Sequence, residues 1–244
     1  MKRRLFPSPG VGPSAAVPGS RTGQHRGDVM TDIGSIPKAA VFRLSLYLRE
    51  LVKFQKTGVK TLSSAGLAAA LGFTDVRVRK DLAYFGQFGY PGVGYKVDEL
   101  IGELKHILGT DRTWDVVLIG CGNLGSALVA YKGFRTQGFN IVGAFDADAK
   151  KAGKALGELT IQPMTKLAET VARTGARIAM ISVPADQAQA VADQAAGAGV
   201  RGILNFAPTT ITTPAHVVEN SVDLAIRLEQ LTFQLRFLMQ DSED

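Results

Sequence analysis

The sequence predicts an α/β fold with two domains and a separate C-terminal helix. A buried strand runs into Gly-x-Gly-x-x-Gly at residues 120–125, and apolar strands then alternate with helical segments, which indicates a doubly wound parallel sheet of the Rossmann type. Three helical patterns precede it, and the third carries a row of cations, which indicates a winged helix-turn-helix domain. The predicted divisions are a disordered basic arm at 1–34, the winged-helix domain at 35–109, the Rossmann domain at 114–221 and a swapped C-terminal helix at 222–244.

The glycine-rich loop predicts a dinucleotide site. In such a loop the first glycine turns the chain out of the strand, the second lets the backbone approach a pyrophosphate, and the third lets the helix pack on the sheet. The helix N-terminus then offers free N–H groups and a positive dipole end to the phosphates. The residues assigned to this site are Gly120, Cys121, Gly122, Asn123, Leu124 and Gly125.

Residues at the ends of three further strands complete the predicted site. Asp146 ends the strand at 141–145, about twenty residues after the last glycine, where the dinucleotide fingerprint places its ribose-binding acid. Its charge would repel a 2′-phosphate and favours NAD(H) over NADP(H), although Lys150 and Lys151 weaken that argument. The loops after the next two strands, predicted to lie near the nicotinamide, carry Val183, Pro184, Asn205 and Phe206. The prolines there are equally well explained as strand terminators.

The helical patterns at 35–56, 62–71 and 75–85 predict the helix-turn-helix unit, with Ser35 as the first cap and Pro37 in the first turn. In the third helix Val78, Leu82 and Phe85 share a packing face. The opposite, cationic face is typical of a recognition helix that enters the major groove, although an ordinary solvated helix explains it equally well by itself. Its predicted DNA contacts are Arg77, Arg79, Lys80 and Tyr84.

Residues 88–97 alternate aromatic residues with turn residues and predict a β-hairpin wing, in which Tyr95 and Lys96 meet the sugar–phosphate backbone. A capped helix from Asp98 to Leu108 should follow. Beyond Asp146, we expect helices at 148–157, 164–173 and 185–197.

The last helical pattern predicts a homodimer. Leu224, Leu228, Leu231, Leu235 and Leu238 share one face, whereas Ile226, Phe233 and Phe237 share the opposite one. A helix that lies on its own domain needs only one apolar stripe, so the second stripe calls for another protomer.

Composition narrows the class of protein. The 244 residues carry a net charge of +6, which suits an anionic partner, and contain no apolar run long enough to cross a membrane. The single cysteine, Cys121, fits a reducing cytoplasm and is better explained by the need for a small residue than by a reactive thiol. No cluster of metal ligands is present in the sequence pattern. The arm at 1–34 either touches DNA phosphates or reflects an upstream start codon, since Met30 precedes the ordered part.

Several of these stretches together resemble the Rex family of redox-sensing repressors: residues 78–86, 92–95, 120–125 and 202–208. The resemblance implies a homodimeric repressor, not an enzyme, which binds inverted-repeat double-stranded DNA, releases it as NADH rises, and binds NAD+ as the competing ligand. It also implies an inter-subunit pair of Arg49 with Asp223, and a Tyr131 that moves with the redox state of the nicotinamide.

Two alternatives remain open on the residues alone. A small NAD-dependent dehydrogenase would need a proton donor, for which His216 is the plausible candidate because His25 lies in the arm and His106 in the helix that links the domains. A CoA-ligase-like nucleotide-binding module shares the sheet pattern but leaves the winged helix unexplained.

Overall fold

The computed structural model describes residues 36–240, with side chains through Leu238. The arm predicted at 1–34 and the capping role of Ser35 lie outside the described residues. Within them, a helical domain precedes a parallel sheet, and the predicted α/β fold class is confirmed.

The N-terminal domain packs its four helices around one core. Its elements are α1 (Lys38–Lys56), β1 (Thr61–Leu62), α2 (Ser64–Leu71), α3 (Asp75–Ala83), β2 (Tyr95–Lys96) and α4 (Val97–Ile107). Helix α1 begins after Pro37, which stands at the N-cap rather than in the first turn. Ser63 caps α2 by accepting from the Gly66 N–H at 3.0 Å, and Thr74 caps α3. The short turn between these two capped helices gives the predicted helix-turn-helix.

The wing differs from the predicted hairpin. Tyr90 and Gly94 form a single bridge around a tight turn, and β2 pairs antiparallel with β1 instead of with residues 88–90. The glycines and proline of this segment favour turns over an extended strand, so only two residues join the sheet. Helix α4 then begins at Val97 without a side-chain cap, and Asp98 lies in its first turn, so the predicted capping there is wrong.

The C-terminal domain is a seven-stranded sheet flanked by helices. In chain order its strands are β3 (Trp114–Ile119), β4 (Phe139–Asp146), β5 (Ala155–Leu156), β6 (Leu159–Pro163), β7 (Ile178–Ile181), β8 (Gly202–Asn205) and β9 (Val218–Ser221), arranged as β5-β6-β4-β3-β7-β8-β9. All pairs are parallel except β5 with β6. From β3 the strand order proceeds to one side through β4 and β6, and from β7 it proceeds to the other side through β8 and β9. The boundary between β3 and β7 is therefore the topological switch point, where such sheets bind ligands.

The helices of this domain are α5 (Asn123–Ala130), α6 (Gly133–Thr136), α7 (Leu167–Thr174) and α8 (Ala185–Gly197). The helix predicted at 148–157 is wrong. Gly153 adopts φ +81° there and donates its N–H to the Ile161 carbonyl at 2.9 Å, which turns the chain into the β5–β6 pair. Strand β9, at the sheet edge, was not predicted.

Helix α9 (Leu224–Gln240) exposes both predicted apolar stripes. The eight large apolar side chains of the two stripes are 45% to 65% exposed, so the rest of residues 36–240 does not cover them. Among residues 36–240, no helix combines the length and the apolarity that a membrane span requires.

Candidate functional site

The glycine loop joins β3 to α5 at the switch point of the sheet. Gly120 adopts φ +97° and donates its N–H to the Phe145 carbonyl at 2.8 Å. A Cβ on Gly120 would collide with the Ser182 carbonyl, and a Cβ on Gly125 would collide with the Gly120 carbonyl. These two glycines are therefore fixed by protein packing.

Gly122 differs from its two neighbours in the motif. A Cβ at this position would meet no heavy atom within 4 Å, so the loop faces open space at its middle glycine. No side chain caps the N-terminus of α5, where Asn123 and Leu124 form the first turn. Uncapped N–H groups beside an open backbone suit a pyrophosphate, so the residues present fit the predicted dinucleotide.

Asp146 lies at the end of β4 and holds the glycine loop from the side. Its Oδ2 accepts the Cys121 N–H and the Lys151 ammonium, both at 2.8 Å, and its Oδ1 accepts the Asp148 N–H at 2.9 Å. Burial alone would raise the pKa of Asp146, but these hydrogen bonds outweigh burial and lower it. The carboxylate is thus ionised at neutral pH. The ion pair between Asp146 and Lys151 was not predicted from the sequence, and the ribose contact of Asp146 stays a prediction.

The thiol of Cys121 is 6% exposed and lies 3.4 Å from the Phe145 carbonyl. Burial, followed by the nearby charge of Asp146, raises its pKa to about 11. The thiol is therefore protonated at neutral pH, which supports the packing interpretation of this cysteine over the reactive one.

The loop after β7 contacts the glycine loop directly. Ser182, which was not predicted as a site residue, donates its hydroxyl to the Gly120 carbonyl at 2.8 Å. Val183 lies beside Gly120, and Pro184 forms the N-cap of α8. Val183 therefore lies at the switch point, and contact of this loop with a nicotinamide stays a prediction.

Asn205 was predicted to bind the cofactor, and in the structure its side chain is held by the protein itself. It is fully buried, donates to the Thr209 carbonyl at 2.9 Å and accepts the Ala207 N–H at 2.9 Å. These bonds shape the loop after β8, in which the neighbouring Phe206 is half-buried. Contact of either residue with a cofactor stays a prediction.

Tyr131 forms the C-cap of α5, one residue past the helix in which it was predicted. Its ring is largely exposed and stands edge-on to Phe134 at 5.0 Å between centroids. The ring also fills the space that a Cβ on Gly133 would need. Tyr131 is thus a surface aromatic held at a turn, and its response to a nicotinamide stays a prediction.

The cationic face of α3 is open to solvent. Arg77 and Lys80 are exposed, and Tyr84 is half-buried at the C-cap. Arg79 is held on the flank of the helix, where its guanidinium lies 2.5 Å from the Asp75 carboxylate and 3.0 Å from the Ser64 hydroxyl. These positions allow contact with DNA, which stays a prediction for each residue.

The polar anchor of α3 was not predicted from the sequence. Asp81 is 2% exposed and accepts two hydrogen bonds from the Arg43 guanidinium, both at 2.6 Å, and one from the Tyr47 hydroxyl at 2.7 Å. Burial by itself raises the pKa of Asp81, but these donors reverse the effect and lower it. The anchor fixes the orientation of α3 relative to α1.

The predicted DNA contacts at the wing, Tyr95 and Lys96, differ in exposure. The Tyr95 ring is buried in the core beneath the wing, and burial raises the pKa of its hydroxyl. The alternation of strand β2 points the neighbouring Lys96 outward, where it pairs with Glu99 at 2.7 Å and lies over the Tyr90 ring. Lys96 is therefore exposed and Tyr95 is buried, and their contacts with DNA stay predictions.

The remaining predicted residues lie on the surface or at an element end. Arg49 is exposed on α1, and Asp223 caps α9 by accepting the Ala225 N–H at 2.8 Å. His216, the candidate proton donor of the enzyme alternative, is exposed in a loop. In the part of the chain that the structure describes, no three potential ligand side chains gather as a metal site would need.

Comparison with known proteins supports this combination of sites. Residues 111–209 match the family model described as a CoA binding domain, and residues 35–83 match one described as a putative DNA-binding protein N-terminus. The redox-sensing transcriptional repressor Rex of Carboxydothermus hydrogenoformans is 51% identical over 82% of this chain and 97% of its own length. That of Streptomyces avermitilis is 43% identical over 81% of this chain and 79% of its own.

Solved structures of known proteins also resemble this chain. RSP in complex with beta-NAD+ and operator DNA is similar with a TM-score of 0.80 and 34% identity, over 85% of this chain and 96% of that one. RSP in complex with beta-NADH gives a TM-score of 0.76 and 32% identity, over 86% and 98%. On these relatives, this chain belongs to the Rex family of redox-sensing transcriptional repressors.

Proposed function

We propose that this chain is a cytoplasmic repressor that senses the NADH/NAD+ ratio and leaves its operator when NADH rises. One observation carries the proposal: a single chain combines a dinucleotide loop that is open at Gly122 with an exposed cationic recognition helix. The relatives described above are named as redox-sensing transcriptional repressors, and RSP has been solved with beta-NAD+, beta-NADH and operator DNA.

The proposed nucleotide binding is argued from the switch point between β3 and β7. The first turn of α5 would receive the pyrophosphate, and Asp146 would receive the adenosine ribose after Lys151 moves aside. The loop that carries Val183 borders the space in which the nicotinamide would lie. That ring is neutral in NADH and positively charged in NAD+, so a weakly polar surface there favours the reduced form.

The proposed DNA binding is argued from α3 and the polar anchor at Asp81. The buried Asp81 fixes the helix, and Arg77 and Lys80 face outward from it. A helix presented in this way enters the major groove and reads base edges there. Phosphate contacts from the flanking cations would supply the affinity that does not depend on base sequence.

The proposed homodimer is argued from α9. Its exposed stripes amount to an apolar surface that a single chain leaves open, and insertion between the Rossmann domains of two protomers would cover both sides. Two protomers would place two copies of α3 about one DNA turn apart, each on one half of an inverted repeat.

The coupling follows from that geometry. If the two Rossmann domains close on the reduced nucleotide, the attached recognition helices leave one-turn spacing and the operator is released. The Asp223 carboxylate at the start of α9 and the exposed Arg49 on α1 would pair across the dimer and transmit the motion. Tyr131, exposed at the end of α5, would respond to the nicotinamide.

The dehydrogenase alternative has less support. The exposed His216 is the only candidate proton donor that the sequence offered, and the family is named for repression. We therefore propose that the chain binds NADH without turning it over.

Fluorescence anisotropy tests the proposal, with labelled inverted-repeat fragments from the organism's own promoters, measured with NADH, with NAD+ and with neither. The proposal predicts tight binding that NADH abolishes and NAD+ spares. Binding indifferent to both nucleotides would contradict redox sensing, and NADH consumption in the presence of a small substrate would favour the enzyme.

A further inference from the structure

Val76 is an exposed apolar residue in the first turn of the recognition helix α3. At about 100° per residue, it shares an outward strip with Lys80 and Ala83, directly opposite the buried Val78 and Leu82. Its side chain is 60% exposed. The strip that should face DNA is therefore apolar in the first turn, at Val76, and cationic one turn later, at Lys80.

The surroundings of Val76 leave this strip open. Arg79 lies beside the strip, and its guanidinium is held on that flank of the helix by Asp75 and Ser64. Arg77 lies on the opposite flank and is exposed. A single exposed valine is ordinary on a protein surface, but this one lies in the turn that comes closest to base edges in a docked helix-turn-helix.

The major groove offers one apolar group to such a side chain. Adenine, guanine and cytosine present donors and acceptors there, and only thymine adds a methyl group at C5. A branched side chain without polar atoms cannot hydrogen-bond to a base edge, but it can bury that methyl group. The cations on both sides would hold the helix against the phosphates while Val76 makes the contact.

We propose that Val76 is a specificity-determining residue that reads the methyl group of one thymine in each operator half-site. The inference rests on the proposed function, since it places α3 in the major groove of an operator. It assigns base discrimination to a residue that the cationic pattern of the helix did not single out.

The test exchanges single thymines of the operator for deoxyuridine, which removes the methyl group and leaves every hydrogen-bonding atom in place. Wild-type protein should lose about fourfold in affinity for one exchange and roughly fifteenfold for the symmetric pair, the value of one buried methyl group per half-site. Exchange of the other thymines should have little effect. Anisotropy of labelled operator gives both affinities.

Variants make the assignment specific to Val76. Val76→Ala should bind the natural operator as weakly as the wild type binds the symmetric deoxyuridine operator, and should show no further loss on that exchange. Val76→Ile, which keeps the apolar contact, should remain sensitive to it. Val93→Ala is the matched control, because Val93 is similarly exposed but lies in the wing turn; it should keep the wild-type ratio.

Two outcomes would overturn the inference. One is the same thymine-to-deoxyuridine ratio in Val76→Ala as in the wild type, with circular dichroism showing a folded variant. The other is a wild-type protein that tolerates the exchange of every thymine. Failure of the wild type to bind any operator would instead contradict the proposed function, and the inference with it.

Discussion

Replacing Asp81 by alanine should destabilise the N-terminal domain by about 3 kcal/mol, the lower end of the cost of breaking a buried ion pair. Asp81 accepts three short hydrogen bonds, and its removal leaves the Arg43 guanidinium and the Tyr47 hydroxyl without their acceptor inside the domain. The lower end applies because the Arg43 side chain keeps 16% of its exposure and can recover some hydration. Tyr47→Phe, which removes one hydrogen bond, should cost about 1 kcal/mol.

Urea unfolding of the full chain measures these changes. Far-UV circular dichroism follows the helices of both domains, whereas fluorescence of the single tryptophan, Trp114, follows the first strand of the sheet. The Asp81→Ala loss should appear in the dichroism transition and leave the tryptophan transition in place. Lys105→Ala, at an exposed site on α4, is the control and should change stability by less than about 0.5 kcal/mol.

DNA binding separates anchoring from simple stability. Removal of Asp81 adds one unit of positive net charge, which favours any DNA, but it also loosens α3. The ratio of operator to non-operator affinity should therefore fall at temperatures where the variant is folded. A stability loss below about 1 kcal/mol, or an unchanged ratio, would refute the anchoring role.

Acid unfolding gives an independent check on Asp81. Because its folded pKa is lowered, the group stabilises the domain fully above the ordinary pKa of about 4, and this contribution is lost as the pH falls through the folded value. Asp81→Asn should therefore lose less stability than the wild type between pH 4 and more acidic conditions. An identical acid response in both proteins would show that the carboxylate is not the group that titrates.

Three further substitutions probe the two sites and their coupling. Lys80→Ala should weaken binding to all DNA sequences and reduce the slope of log affinity against log salt by about 2, one phosphate contact for each protomer of the dimer, whereas Lys105→Ala should not. Anisotropy at several salt concentrations measures both slopes, and an unchanged slope would remove Lys80 from the phosphate contacts. Asp146→Ala should weaken NADH binding roughly tenfold in a nucleotide fluorescence titration, since a charged hydrogen-bond acceptor is lost. The variant should also prefer NADH over NADPH less strongly than the wild type does, because Lys151 is released from its ion pair. Unchanged NADH affinity would contradict the ribose assignment. Asp223→Ala should bind both NADH and operator but lose the release of DNA by NADH, and retained release would rule out the proposed inter-subunit pair.

The sequence predicted the parts of the fold that local patterns encode. The strand, glycine loop and helix from residue 114 to 130 follow from apolar runs and glycine spacing, and helices α2 and α3 follow from the helical patterns at 62–71 and 75–85. The two exposed stripes of α9 also follow from periodicity alone. These features depend on neighbours within a few residues, which is why a single sequence reveals them.

Features that depend on distant partners were missed or wrong. Arg43 and Asp81 are 38 positions apart, and no local pattern links them. The two-residue strand β1 carries no periodic signal, yet its pairing with β2 directs Tyr95 into the core. Asn205 stands at a strand end where ligands bind, but its bonds to the following loop bury it. In each case tertiary contacts decide whether a polar or aromatic residue faces solvent.

Reciprocal titration measures whether NADH and operator exclude each other through one dimer. Operator affinity would be measured with and without saturating NADH, and NADH affinity with and without saturating operator. Linkage requires the two factors to be equal, and release of the operator by NADH predicts that both are well above one, with NAD+ giving factors near one. NADH affinity that is indifferent to operator, in a protein that binds both, would contradict redox sensing by this dimer.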